Sequence, residues 1–217
     1  MSTNFSCADC AAKFCQQHDL KTLPHDCPTR NVAAETFEDL YTEEDIRMAH
    51  MAALTECDGY GVHTRLEDTM GFAYRMGFKK IGIGFCTGLS NEAAILTKIL
   101  RTNGFEVESA CCKCGSIKKE FIDIDQQHQI NKDNDFEIMC NPAGQATYLA
   151  QQGAELAIIL GLCVGHDTLF IKHAKMPVTV LAAKDRAMAH NPVGALYTAD
   201  SYKKYLYSYI KDNFPEE

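Results

Sequence analysis

Five cysteines of this chain, Cys86, Cys112, Cys114, Cys140 and Cys163, stand just after an apolar run or just before a helix-start signal, and none lies inside such a run. An open parallel sheet keeps its chemistry beyond the carboxyl ends of its strands, so this placement is informative. The clearest case is LAIILGLCVGHD (156–167), where a continuous apolar run breaks at Gly161 and delivers Cys163, His166 and Asp167 in quick succession. With His190, which precedes Asn191-Pro192, the candidate catalytic groups are Cys163, His166 and His190. The thiolate would act as nucleophile and an imidazole as general acid–base. The five cysteines together are also candidate ligands of one shared metal ion or iron–sulfur cluster. A [4Fe–4S] cluster on three of them would leave one iron open as a Lewis acid. A metal-free thiol site is the other joint reading, and taken singly each cysteine suits a small buried hydrophobe. Cys57 and Cys111 read as inert.

A second group heads the chain. Cys7-x2-Cys10-x4-Cys15-x11-Cys27, followed by Pro28, lies in a segment with few long apolar residues. Such a segment cannot stabilise itself by burial, so a metal is the natural staple. Four thiolates suit a tetrahedral zinc site or a [4Fe–4S] cluster, with His18 and His25 as substitutes for one sulfur. The spacing matches no standard ferredoxin run, although the closing Cys-Pro pair does occur in such runs. Zinc and iron–sulfur both stay open.

The elements that must position these groups follow from periodicity and caps. Two helices come first, one from Thr42 as N-cap to about Cys57 and one over roughly 64–76, closed by Gly77. Strands are expected at 79–85, 105–111, 156–162 and 178–182, with helices at 91–103, 142–152 and 167–174. Asn141-Pro142 and Asn191-Pro192 are N-cap-plus-N1 pairs. Ser90 and Asp167 read as caps of the other two helices. Each functional group then sits near a helix N-terminus, where the macrodipole favours a thiolate. In strand order 2-1-3-4, Cys86 and Cys163 flank the switch crevice. A last helix at 201–212 is expected to put Tyr202, Tyr205 and Tyr209 on one docking face. The polar run 115–135 reads as an inserted loop. Lys184-Asp185-Arg186 reads either as a source of cations for an anionic ligand or as an exposed, salt-bridged loop. Gly82, Gly84 and Gly88 do not form a dinucleotide fingerprint at the turn.

The expected fold is therefore α/β: a doubly wound, Rossmann-like, mainly parallel sheet over 42–217, with a cysteine-rich metal-binding module at 1–41. A length of 217 residues accommodates that arrangement. The net charge of −8 argues against nucleic acid and against an anionic membrane surface. No apolar run has the length of a membrane span, and MSTNFSCADC does not read as a signal peptide, so a cytoplasmic protein is expected. In that reducing setting, eleven cysteines speak for metal ligation or thiol chemistry more than for disulfides.

The combination of the N-terminal cysteine cluster with CTGLSNEA (86–93), CCKCG (111–115), MCNPAGQA (139–146), GLCVGHDTLF (161–170) and KDRAMAHNPVGALY (184–197) has a counterpart. It resembles a family of functionally uncharacterised metal-binding proteins, mostly from anaerobic microbes, known as domain of unknown function 1847. The resemblance covers nearly the whole chain. It implies metal or iron–sulfur binding and an anaerobic setting, and it brings no substrate or reaction.

Three functions follow from these residues. The first is a metal or redox protein that passes electrons or reports metal state to a partner. The second is an iron–sulfur or thiolate enzyme acting on a small anionic or sulfur-containing molecule. The third is a structural zinc module on a ligand-binding α/β domain. The expected partners are a metal ion or cluster, a small anionic or sulfur-containing molecule, and a second copy of the chain.

Overall fold

The computed structural model describes residues 6–11, 13, 15–17, 20–25, 27–32 and 34–214. The chain divides into two units, residues 1–58 and 59–217.

The first unit opens with a 3-10 turn, Cys7–Asp9, where the Ser6 hydroxyl accepts the Ala8 N–H at 3.2 Å. Helix α1 (Pro28–Asn31) has Cys27 as N-cap and Pro at its first position, where the missing N–H costs no helical bond. A short α2 (Ala34–Glu38) and the long α3 (Glu43–Gly59) follow. At the start of α3, Thr42 and Asp45 cap one another. The Thr42 N–H donates to the Asp45 carboxylate at 2.9 Å, and the Asp45 N–H to the Thr42 hydroxyl at 3.2 Å.

The second unit is α/β. Helix α4 (Arg65–Met76) begins in a capping box of Thr64 and Glu67 and ends at Gly77 in the left-handed region. Strands β1 (Lys80–Phe85), β2 (Glu106–Cys111), β3 (Leu156–Leu162) and β4 (Val178–Ala183) form an all-parallel sheet in the order β2-β1-β3-β4. The helices α5 (Ser90–Thr102), α6 (Pro142–Gln151) and α7 (His166–His173) alternate with the strands. All residues of β3 are buried, as a central strand covered on both faces requires. Its side chains alternate between two cores. Leu156, Ile158 and Leu160 pack with Ile81, Leu96 and Leu100, whereas Ala157, Ile159 and Leu162 pack with Leu149 and Phe170. Near its end β3 carries a register irregularity at Gly161. Gly161 has φ +66, and a Cβ there would collide with the Leu89 side chain, so only glycine fits.

Several local expectations are corrected. Ser90 is the first residue of α5 and not its cap; the chain enters through a 3-10 turn, Thr87–Leu89, whose N-cap is Cys86. Asp167 lies inside α7, which starts at His166 behind Gly165 (φ 82). The helix after Asn191-Pro192 is the short α8 (Val193–Tyr197), with Pro192 in the N-cap place. The single helix at 201–212 does not form. It is replaced by a 3-10 turn, Lys204–Tyr207, and α9 (Tyr209–Asn213), neither with a buried residue. Helices this short gain little without an apolar face to bury. Ser208 meanwhile competes for the backbone by donating to the Tyr205 carbonyl at 3.4 Å. Tyr202, Tyr205 and Tyr209 therefore share no helical face. No helix of the described residues is long and apolar enough to cross a membrane.

Candidate functional site

The parallel ladder continues one residue past the strand ends and sets the edge where chemistry is expected. The Cys86 N–H donates to the Leu160 carbonyl at 3.2 Å, Cys112 N–H to Phe85 at 2.8 Å, and Lys184 N–H to Leu162 at 3.0 Å. Cys86, Cys112 and Lys184 are thus fixed by main-chain bonds just beyond β1, β2 and β4. Beneath them lies Gln145 of α6, fully buried. Its amide donates to the carbonyls of Phe85 at 3.1 Å and Ala110 at 2.7 Å, tying α6 to the ends of both strands.

After β2 the chain leaves on the excursion 115–139 and returns to the same place. The return is stitched by Lys119 N–H to the Glu137 carbonyl (2.8 Å) and Met139 N–H to the Ile117 carbonyl (2.8 Å), with an ion pair between Lys119 and Glu137 at 2.9 Å. Burial works against ionised Glu137, but bonds from Lys119 and the Ile130 N–H outweigh it and hold the carboxyl below its ordinary range. Asn141 then completes the junction. Its N–H donates to the Cys112 carbonyl at 2.8 Å, and its side chain both donates to the Cys114 carbonyl (3.1 Å) and accepts the Gly144 N–H (2.9 Å) as the N-cap of α6. A Cβ at position 144 would run into the Asn141 amide, so Gly144 lets the cap form.

This junction brings Cys140 to Cys112. Hydrogen bonding with the Cys140 thiol is the largest of the effects that lower Cys112 to about 5. Burial opposes the charge. It is outweighed with help from the Thr87 N–H, which points at the Cys112 Sγ from the 3-10 entry to α5 at 3.4 Å, and from the Lys113 ammonium. The same hydrogen bond and burial push Cys140 upward. The pair is therefore shifted towards one shared proton, Cys112 to the thiolate side and Cys140 to the thiol side. Cys112 is 2% exposed, and Cys140 is only half-buried. Cys111 and Cys114 flank the pair, and burial raises both. The Cys111 sulfur accepts the Lys113 N–H at 3.4 Å, and the Cys114 thiol donates to the Asn141 carbonyl at 3.7 Å.

The other expected groups lie elsewhere on this edge. Cys86 is buried in the same apolar cluster as Cys112. Cys163 sits beside Arg186, with a guanidinium nitrogen 3.7 Å from its sulfur. His190 accepts the Asp185 N–H at 3.1 Å within a loop where Ala189 and His190 both have positive φ. His166 opens α7, its N–H donating to the Cys163 carbonyl at 3.0 Å. No described hydrogen bond joins either histidine to Cys112 or Cys140. The Asp185 carboxylate is occupied by the N–H groups of Ala187 and Met188, so the Lys184-Asp185-Arg186 run is not internally salt-bridged.

In the first unit, Cys7 and Cys15 are exposed, Cys10 is half-buried and Cys27 is buried; His18 lies outside the described residues. Among the described residues, no group of three or more histidines, cysteines, aspartates or glutamates is arranged to hold a metal ion, at either the N-terminal or the sheet-edge cysteines. The donors are of the right chemistry for a soft cation.

A family described as "Protein of unknown function (DUF1847)" matches residues 27–181. The chain belongs to this family. It is also 43% identical over 200 residues to an uncharacterized protein of Methanocaldococcus jannaschii, covering 92% of this chain and 97% of that one. The DUF1847 match contains Cys86, Cys112, Cys114, Cys140, Cys163 and His166, and leaves Cys7, Cys10, Cys15 and His190 outside.

Three residues of the site are not singled out by sequence reasoning. Thr87 and Lys113 adjoin cysteines, but nothing local says that they act on the sulfur of Cys112. Gln145 lies in a helix with no signal of its own beyond being a polar residue on the apolar side of α6.

Proposed function

We propose that this protein works through a metal-free pair of thiols, Cys112 and Cys140, which acts covalently on a small sulfur-containing or anionic molecule at the carboxyl edge of the sheet. The carrying observation is the junction at Asn141, whose N–H bonds the Cys112 carbonyl at 2.8 Å and so brings Cys140 to Cys112, with the Thr87 N–H closing on the Cys112 sulfur at 3.4 Å. A thiol reacts through its thiolate, and an ordinary cysteine is mostly protonated near neutral pH. Here the charge is already present, buried on Cys112, while the more accessible Cys140 faces incoming molecules. As Cys140 attacks, its proton passes to Cys112, which serves as the base. The two helix entries at Thr87 and Asn141 and the Lys113 ammonium favour negative charge in the same place.

The strand order and the helices packed on both faces support a doubly wound, Rossmann-like reading of the fold, in which a ligand meets the carboxyl edge. The acidic composition and the many thiols support a reducing, cytoplasmic setting. The test is peptide-resolved alkylation by iodoacetamide against pH. One cysteine of the pair should react at pH 6–7 at least about tenfold faster than exposed Cys57, and lose that advantage when its partner is replaced by Ala. Rates at both cysteines equal to that of Cys57 would refute the reading.

A second reading concerns the first unit, and a tight turn supports it. The Cys10 N–H donates to the Cys7 carbonyl at 3.3 Å, the compact Cys-x2-Cys form from which two thiolates reach one ion. In this reading Cys7, Cys10, Cys15 and Cys27 close on zinc or a [4Fe–4S] cluster as the segment folds around it. Metal and acid-labile sulfide analysis after anaerobic purification, repeated on Cys7→Ser/Cys10→Ser, tests it. A metal content near one site per chain, lost in the variant, is expected; the same content in both would reject it.

A further inference from the structure

We infer that Cys112 and Cys140 form a reversible two-electron couple, and that the molecule acted on is a small disulfide, which the pair reduces while closing its own disulfide. This rests on the thiol-pair reading above and adds the reaction and its substrate class.

Two geometric facts carry it. First, the direct bond from the Asn141 N–H to the Cys112 carbonyl joins the two backbones at the cysteines themselves. The bond puts the two cysteines side by side across the junction, the neighbourhood that a disulfide, with Cα atoms roughly 4.4–6.8 Å apart, requires. With the main chain already joined at this point, closure needs little backbone movement. Second, the two thiols differ in access: Cys140 is half-buried and Cys112 is 2% exposed. Of the two, Cys140 is the one open to an external disulfide, and buried Cys112 is reached from within the cluster. That is the division needed between an attacking and a resolving thiol, and disulfides in reducing compartments are of this transient kind.

The steps balance. Cys140 attacks one sulfur of R–S–S–R′, its proton moving to Cys112; a Cys140–S–S–R bond forms and R′S⁻ leaves. R′S⁻ takes the proton from Cys112, and the Cys112 thiolate attacks the Cys140 sulfur. The Cys112–Cys140 disulfide forms and RS⁻ leaves. One small disulfide is reduced to two thiols, and one protein dithiol is oxidised. Lys113, near both sulfurs, attracts each departing thiolate. A second dithiol reductant resets the pair.

The experiment uses the full chain, reduced and anaerobic, with bis(2-hydroxyethyl) disulfide as probe and acid-quenched peptide mapping by mass spectrometry. Wild type should give a peptide crosslinked through Cys112 and Cys140, opened again by dithiothreitol. Cys112→Ser, held at pH 9, should retain the hydroxyethylthio group on Cys140. Cys140→Ser should leave Cys112 unmodified while exposed Cys57 is labelled. If Cys112→Ser does not fold, the Cys140 adduct is sought in wild type quenched at early times. A wild-type protein that keeps the adduct on Cys140 without crosslinking would overturn the inference, as would one that crosslinks through other cysteines. Fast alkylation of the pair at pH 6–7 in that same protein would leave the thiol-pair reading standing; slow alkylation would remove both.

Discussion

The main chain joins Cys112 to Cys140 independently of their side chains: the Asn141 N–H donates to the Cys112 carbonyl at 2.8 Å, which brings the two thiols to one place. The excursion 115–139 is therefore more than a surface insertion. It returns the second thiol to the end of β2, where the first one sits.

Stability should depend on pH through this pair. Folding lowers the Cys112 thiol to about 5, against about 8.5 for an unfolded cysteine. Between these values the unfolded chain binds one more proton than the folded one, so this contribution grows as pH rises. It is lost as pH falls through about 5. Above about 8.5 the sign reverses, because folded Cys140 keeps a proton that the unfolded chain has released. Urea midpoints should accordingly peak near pH 8–9 in wild type. A Cys112→Ser/Cys140→Ser double variant should give a flatter profile, measured under the same anaerobic conditions.

Asn141→Ala removes the α6 cap and the bond to Cys114 together. The cap alone is worth about 1 kcal/mol, so thermal unfolding should occur a few degrees lower. Because Asn141 also holds the junction, the alkylation rate of the pair at pH 6–7 should fall towards that of Cys57. Asn141→Asp, which keeps the cap acceptor, should recover most of the stability and less of the reactivity.

Gln145→Leu keeps the volume but strips two buried carbonyls of a donor. A cost of about 1–3 kcal/mol is expected, read from chemical denaturation. The amide bridges the ends of β1 and β2, so protection of the Cys112 N–H against hydrogen exchange should drop with it. Unchanged protection would separate Gln145 from the thiol pair.

Much of the frame is legible in the sequence. The run 156–162 is apolar without interruption because β3 is covered on both faces, and the order of elements produces the order β2-β1-β3-β4. Asn141-Pro142 announces α6 because an Asx side chain and a proline satisfy the same helix end. The pairing of cysteines is not legible. Cys112, Cys140 and Cys163 all read as edge thiols, and nothing local tells that a polar excursion 115–139 returns to Cys112 while Cys163 turns to Arg186. Those are long-range bonds made by Asn141, Lys119 and Glu137. The tail at 201–212 fails for the opposite reason, since tyrosine spacing suggests a helix but no apolar surface is buried to support one.

The most direct test of the shared proton is thiolate absorbance followed from pH 9 to pH 4 in wild type, Cys140→Ala and Cys140→Ser, each reduced and anaerobic. In wild type, one thiolate per chain should persist until the pH approaches about 5. In Cys140→Ala, which deletes the donor, that thiolate should take up its proton at a higher pH; in Cys140→Ser, which keeps a donor, it should stay largely where it was. The same titration in all three proteins would contradict the account, because Cys140 would then not be what holds the charge on Cys112.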